Sequence, residues 1–149
     1  MTIGVVLLLG ISVILTVLYN GVVRSRTEIE ALSQRIDDVL TGQYDLVATL
    51  AEHSKLTISD INELYVKNKR IIREEFHHEM QSFVKNYKVE NDIERGIVAD
   101  YELSEQMLAK HKDVYNKYVD IYNTKLSIFP NSIIAKMMKA KQRKYFEAE

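Results

Sequence analysis

Between Ile97 and Phe129 one set of side chains recurs at steps of four and three: Ile97, Tyr101, Ser104, Leu108, His111, Tyr115, Tyr118, Tyr122, Leu126 and Phe129. The steps alternate as far as Tyr122, and the step to Leu126 is an extra four. Residues spaced this way share one side of an α-helix and no side of a strand. The pattern predicts an amphipathic helix with a coiled-coil-like seam sustained over more than four heptads. Within it the pair Tyr-Asn recurs one heptad apart, at Tyr115-Asn116 and Tyr122-Asn123. Pro130, the only proline, has no amide hydrogen and clashes with the preceding turn, so it stops the helix. A stripe this long must be covered, and the rest of the chain reads as its cover.

The other long feature is Ile3 to Val23, roughly 21 uncharged and mostly apolar residues, the length a bilayer core requires. Tyr19 and Asn20 stand at its end, where an amphipathic ring sits at headgroup level. No Lys or Arg precedes the run and no small-x-small cleavage site follows it, so it reads as an uncleaved anchor and not as a secretory leader. Arg24 and Arg26 come directly after. The positive-inside rule then predicts a single-pass protein of the cell membrane, with residues 24–149 in the cytoplasm and the N-terminus outside.

The helical pattern continues past the span through Ile29, Leu32, Ile36, Val39, Gln43, Leu46 and Leu50, with Val47 flanking it. Gly42 weakens this stretch by about 1 kcal/mol relative to alanine, and Asp45 offers a cap for a fresh helix. Because the pattern resumes in phase, the expectation is one first helix ending near Ser54. Thr57-Ile-Ser-Asp60 resembles a capping box and would open a second helix with the seam Ile61, Tyr65, Asn68, Ile72, Phe76, Met80, Phe83 and Tyr87. Asn91 and Asp92 mark a turn and cap the third. After Pro130, Ser132 to Glu147 reads as a short basic amphipathic helix, capped by Ser132 and carrying Lys136, Lys139, Lys141, Arg143 and Lys144. With the chain running out, back and out again, this last helix is expected at the end distal to the membrane, folded against the bundle. The fold class is therefore all-α: a transmembrane helix at 1–23, then a domain at 24–149 built as an antiparallel up-down bundle of three long helices and a short C-terminal one.

Composition narrows the chemistry. The chain carries 20 Lys and Arg against 21 Asp and Glu, too balanced for a nucleic-acid binder. It has no cysteine, which removes disulfides, thiolate metal sites and thiol nucleophiles. Glu74-Glu-Phe-His-His78 holds two overlapping Glu-x-x-His spacings of the kind that carboxylate-bridged di-iron bundles use. Such a site needs a second motif, but Leu108 stands three before His111 and Leu50 three before His53. If Phe76 and Met80 define the inner face, His77 and His78 fall beside it or outward. No phosphate loop, zinc motif or nucleophile elbow is present. No catalytic residue, metal or cofactor is expected.

Two blocks carry a family resemblance. The first is Tyr19-Asn-Gly-Val-Val-Arg24, Ser33, Ile36-Asp37, Leu40 and Tyr44-Asp45-Leu46-Val47; the second is Tyr115-Asn116, Val119, Tyr122-Asn123, Phe129-Pro130, Ile134-Ala135 and Tyr145-Phe-Glu147. Together they resemble the LemA family of bacterial membrane-anchored proteins. That resemblance implies a transmembrane helix followed by an antiparallel helical bundle, and it implies no defined reaction. Departures from the family pattern are Ala48 in place of a usual proline, Ser132 in place of Asn, Lys139-Ala140 in place of a usual Gly-Phe pair, and a shortened middle. Ile36, Asp37, Leu40, Tyr44, Asp45, Leu46, Tyr115, Asn116, Tyr118, Tyr122, Asn123, Phe129 and Pro130 are expected to form the structural core, and Tyr19, Asn20, Arg24 and Arg26 the membrane interface.

The resulting expectation is a non-enzymatic interaction or scaffold module held at the lipid bilayer. Its partners would be membrane or cytoplasmic proteins or further copies of the chain, and not nucleic acid. The alternative is a sensor or carrier binding a small apolar ligand between the helices, near Ser104 and His111.

Overall fold

A computed structural model describes residues 2–54 and 73–146. Among the described residues every regular element is an α-helix: α1, Thr2–Ser54; α2, Arg73–Asn86; α3, Asp92–Ser127; and α4, Asn131–Met137. The capping box at Thr57, the seam positions Ile61, Tyr65, Asn68 and Ile72, and Glu147 lie outside the described residues, as does the side chain of Phe76.

Helix α1 runs unbroken for 53 residues. Gly42 lies exposed, with no atom within 4 Å of where a Cβ would stand, so it relieves no close approach and creates no kink. Asp45 opens no new helix. Its carbonyl accepts the Thr49 hydroxyl at 2.8 Å inside the continuing one. Helix α3 begins with a reciprocal cap. Asn91 Oδ1 accepts the Glu94 amide at 2.9 Å, and the Glu94 carboxylate accepts both the Asn91 side-chain amide and the Glu90 backbone amide. This satisfies amides that the first turn would otherwise leave without partners.

The buried positions of α1 are Val22, Ser25, Ile29, Leu32, Ile36, Leu40, Gln43, Val47, Leu50 and Ala51. Leu40 and Val47 thus take the inner places that a strict four-three rhythm assigns to Val39 and Leu46, which are half-buried. In α3 the inner positions are Tyr101, Leu108, Tyr115, Val119, Tyr122 and Leu126. Here Val119 replaces Tyr118, which is 37% exposed. Both departures have one cause. A straight α-helix has 3.6 residues per turn, so a 3.5 repeat drifts by about 20° per heptad, and an occasional second step of four restores the face. That step falls at 36→40 in α1 and at 115→119 in α3.

The chain folds as two compact units, residues 1–34 with 111–149, and residues 35–110. In the first, the last turns of α3 descend along α1 toward its apolar run. Lys125 Nζ donates to Ser25 Oγ at 2.7 Å and reaches the Gly21 carbonyl at 3.5 Å. The packed unit extends down α1 as far as Val22, which is 1% exposed. The turn after α3 therefore lies toward the end of α1 that carries the apolar run, which corrects the expected placement at the end distal to that run. Periodicity defines which side of each helix is buried, but not which end of a neighbour it meets.

The C-terminal segment also differs from expectation. Helix α4 ends at Met137, and Ser132 does not cap it; Pro130 takes the cap position without a side-chain bond, after a cis Phe129-Pro130 peptide. The helix closes in a Schellman turn. The Ala140 amide bonds the Ala135 carbonyl at 2.9 Å and the Lys139 amide bonds the Lys136 carbonyl at 3.1 Å. Lys139 sits at the left-handed position with φ 50°. From there the chain continues without regular structure to Phe146. A full-length helix from Ser132 would have required Lys139-Ala140-Lys141 to stay in phase. The Schellman turn instead releases the chain to run back along α3.

Candidate functional site

In the first unit the Tyr-Asn repeat acquires a purpose. An asparagine side chain is a primary amide, with an NH2 that donates and a carbonyl that accepts, so it can pair with the N–H and C=O of one residue. Asn123 uses both on Arg143: its Nδ2 donates to the carbonyl at 2.9 Å and its Oδ1 accepts the amide at 2.8 Å. Asn116 does the same to Phe146, at 2.7 and 2.8 Å. Seven residues of helix span about 10 Å, and three residues of extended chain also span about 10 Å. One heptad on α3 therefore matches the separation of residues 143 and 146, running in the opposite direction. The two asparagines clamp the C-terminal strap in strand-like fashion on a helix.

The tyrosines complete the clamp. The Tyr115 ring meets the Phe146 ring edge-on, with centroids 4.8 Å apart and planes at 70°, a favourable aromatic geometry. Tyr115 Oη also donates to the Lys144 carbonyl, at a long 3.4 Å. Tyr145 Oη donates to Asp120 at 3.3 Å, and the Arg143 guanidinium reaches Glu30 of α1 at 2.7 Å. Glu30 also receives Arg26 at 3.2 Å. The hydrogen bond from Arg26 does most to hold the Glu30 carboxyl below its usual range, and Arg143 adds to it.

The second unit is organised around a carboxylate. Glu105 of α3 receives Gln43 Nε2 from α1 at 2.6 Å, and His77 Nε2 and Gln81 Nε2 from α2 at 2.8 and 2.9 Å. A carboxylate only accepts, so the His77 ring carries its proton on Nε2. Burial pushes the Glu105 carboxyl upward most strongly of any single influence. The hydrogen bonds from His77, Gln81 and Gln43, together with the charge of His77, outweigh it and bring the group down to about 2. The buried Tyr101 phenol is pushed above its ordinary range, first by burial and then by the Glu105 charge beside it. The Tyr101 hydroxyl and Gln43 Oε1 are buried with no hydrogen-bond partner among the described residues.

Of the residues singled out from the sequence, Ile36, Leu40, Tyr115 and Tyr122 are buried, while Asp37, Tyr44, Leu46, Asn116, Asn123 and Pro130 are half-buried. Tyr19, Asn20, Arg24, Arg26, Asp45, Tyr118 and Phe129 are exposed. Phe129, at 75%, is no core residue. His77 is the opposite correction. It is buried on the same face as Met80, not beside it or outward, while His78 is exposed. Glu105 was missed, although a signal existed: Gln43 interrupts an apolar seam and requires a polar partner opposite. Among the described residues no three His, Asp or Glu side chains converge to hold a metal ion.

The strap and its clamp coincide with the region where the comparison with known families is positive. Residues 96–149 match the LemA family. The LemA match takes in the Tyr-Asn repeat, Phe129-Pro130, Ile134-Ala135 and Tyr145-Phe146, the residues that build the clamped corner. It covers 54 of the 149 residues, and the block from Tyr19 to Val47 lies outside it. No curated protein and no solved structure matches the chain.

Proposed function

We propose that this is a single-span membrane protein whose packed units form a non-catalytic interaction module at the cell membrane. The observation that carries the reading is α1 itself. Every side chain from Ile3 to Val17 is exposed, and all but a few are large and apolar, yet the same helix continues into packed structure from Val22 onward. A bare apolar helix of this length is stable only where lipid replaces water. Arg24 and Arg26 beyond it support a cytoplasmic location for the packed units; their pairing with Glu28 and Glu30 does not weaken that support, because acidic residues contribute little to orientation. The clamped strap and the fully engaged Glu105 are structural devices, which supports an interaction role over a reaction. A carrier of small apolar ligands is less well supported, because the Ser104 hydroxyl is turned back onto the Tyr101 carbonyl at 2.6 Å.

Reporters fused after Glu149, one active only in the cytoplasm and one only outside, test the placement. The cytoplasmic reporter alone should be active. Activity of the external one would reverse the orientation, and recovery of the full chain in the soluble fraction after alkaline washing would remove the anchor.

A further inference from the structure

The corner after α3 presents apolar side chains that the fold does not use. Helix α4 buries Ile134 and Ala135 against its own unit. Its other side carries Ile133, 49% exposed, and Met137, 70% exposed, and Ile128 and Phe129 stand bare in the turn before it. Lys136, Lys139 and Lys141 are exposed around them. A short helix that is apolar on both sides is unfavourable in water, and a clustered apolar patch marks an interaction surface.

The position of the corner says what covers it. Lys125 is fixed at the level of Gly21 and Ser25, and α3 advances past that point toward the apolar run. Packing reaches Val22 and half-covers Leu18, so the unit overlaps the last turns of the membrane-spanning stretch. Ile128, Phe129, Ile133 and Met137 therefore sit where headgroups give way to acyl chains. Lysines beside them match anionic lipid, the arrangement of an interfacial amphipathic anchor.

We propose that the 128–137 corner is a second, interfacial membrane anchor, inserting its apolar side chains into the same bilayer that holds α1. The proposal rests on the spanning role of α1 and is testable apart from it. Two contacts of one chain with one surface fix the tilt and rotation of the first unit, which a single spanning helix leaves free.

The chain contains no tryptophan, so single substitutions give a clean optical probe. Full-length Phe129→Trp, Met137→Trp, Val114→Trp and Leu9→Trp are placed in bilayer discs of phosphatidylglycerol and phosphatidylcholine, with and without bromine high on the acyl chains. Val114 is exposed and lies about 16 Å back along α3 from Lys125. The expected result is blue-shifted, bromine-quenched emission from the probes at 129, 137 and 9, and unquenched emission from the probe at 114. Quenching at 9 with none at 129 or 137 overturns the inference and leaves the spanning helix standing. No quenching at 9 overturns both. Blue-shifted but unquenched probes at 129 and 137, in discs holding two chains, assign the corner to a second copy and overturn the lipid reading.

Discussion

The two units solve the same packing problem with different chemistry. The unit of residues 1–34 and 111–149 is held by an apolar seam around Tyr115, Val119 and Tyr122, plus side-chain bonds to the backbone of the strap. The unit of residues 35–110 places a carboxylate among three amide or imidazole donors from two other helices. Apolar packing tolerates small shifts, whereas a half-buried carboxylate demands each donor in its place. In acid the second unit should therefore respond through Glu105, whereas the first responds only through the exposed Glu30 carboxylate, and the stability of the first should be graded by how deeply each aromatic lies.

The largest test of this contrast is Tyr122→Ala. It empties a fully buried site and should destabilise the first unit by roughly 4 kcal/mol, as large aromatic truncations do, measured by chemical denaturation in detergent. Glu105→Ala should follow at about 3 kcal/mol, because the buried Gln43 and His77 and the half-buried Gln81 lose their shared acceptor. The pH dependence distinguishes it. The native Glu105 carboxyl lies at about 2, against an ordinary value of 4.5. Its contribution is complete above about pH 4.5 and disappears as the pH falls toward about 2, because protonation then favours the unfolded chain. Native chain should lose stability across that interval, and Glu105→Ala should lose less. Equal acid sensitivity in both would show that the charge contributes nothing.

Smaller effects probe the clamp. Asn123→Ala removes two hydrogen bonds to Arg143 and should weaken the first unit by about 2 kcal/mol, with faster hydrogen exchange at the Arg143 amide. Lys139→Gly should act in the opposite direction. The left-handed position strains a residue with a Cβ, so glycine should stabilise by about 1 kcal/mol; a loss of stability would mean that the lysine side chain matters more than the backbone. The smallest effect belongs to Tyr118→Ala. Its seam position in the sequence suggests a core loss like that of Tyr122, but its exposed place predicts a change within about 0.5 kcal/mol. A loss near 3 kcal/mol would return Tyr118 to the core and undo the phase shift at 115→119.

What sequence alone determined was whatever one helix states about itself. The apolar run at 3–23, the continuity through Gly42, the Asn91 cap and the stop before Pro130 all follow from local composition and backbone geometry. The Tyr-Asn repeat was visible as a pattern, and its resemblance to the LemA family was legible before its use was. What the tertiary structure decided was how elements meet. Whether Tyr118 or Val119 faces inward turns on a drift of a few tens of degrees, too fine for counting steps of three and four. That Glu105 answers Gln43 and His77 depends on side chains 62 and 28 residues away. That α3 returns to the apolar end of α1 is written in the bond from Lys125 to Ser25, one hundred residues apart. Periodicity sets which side of a helix is apolar, and only the docked partners set the register between helices.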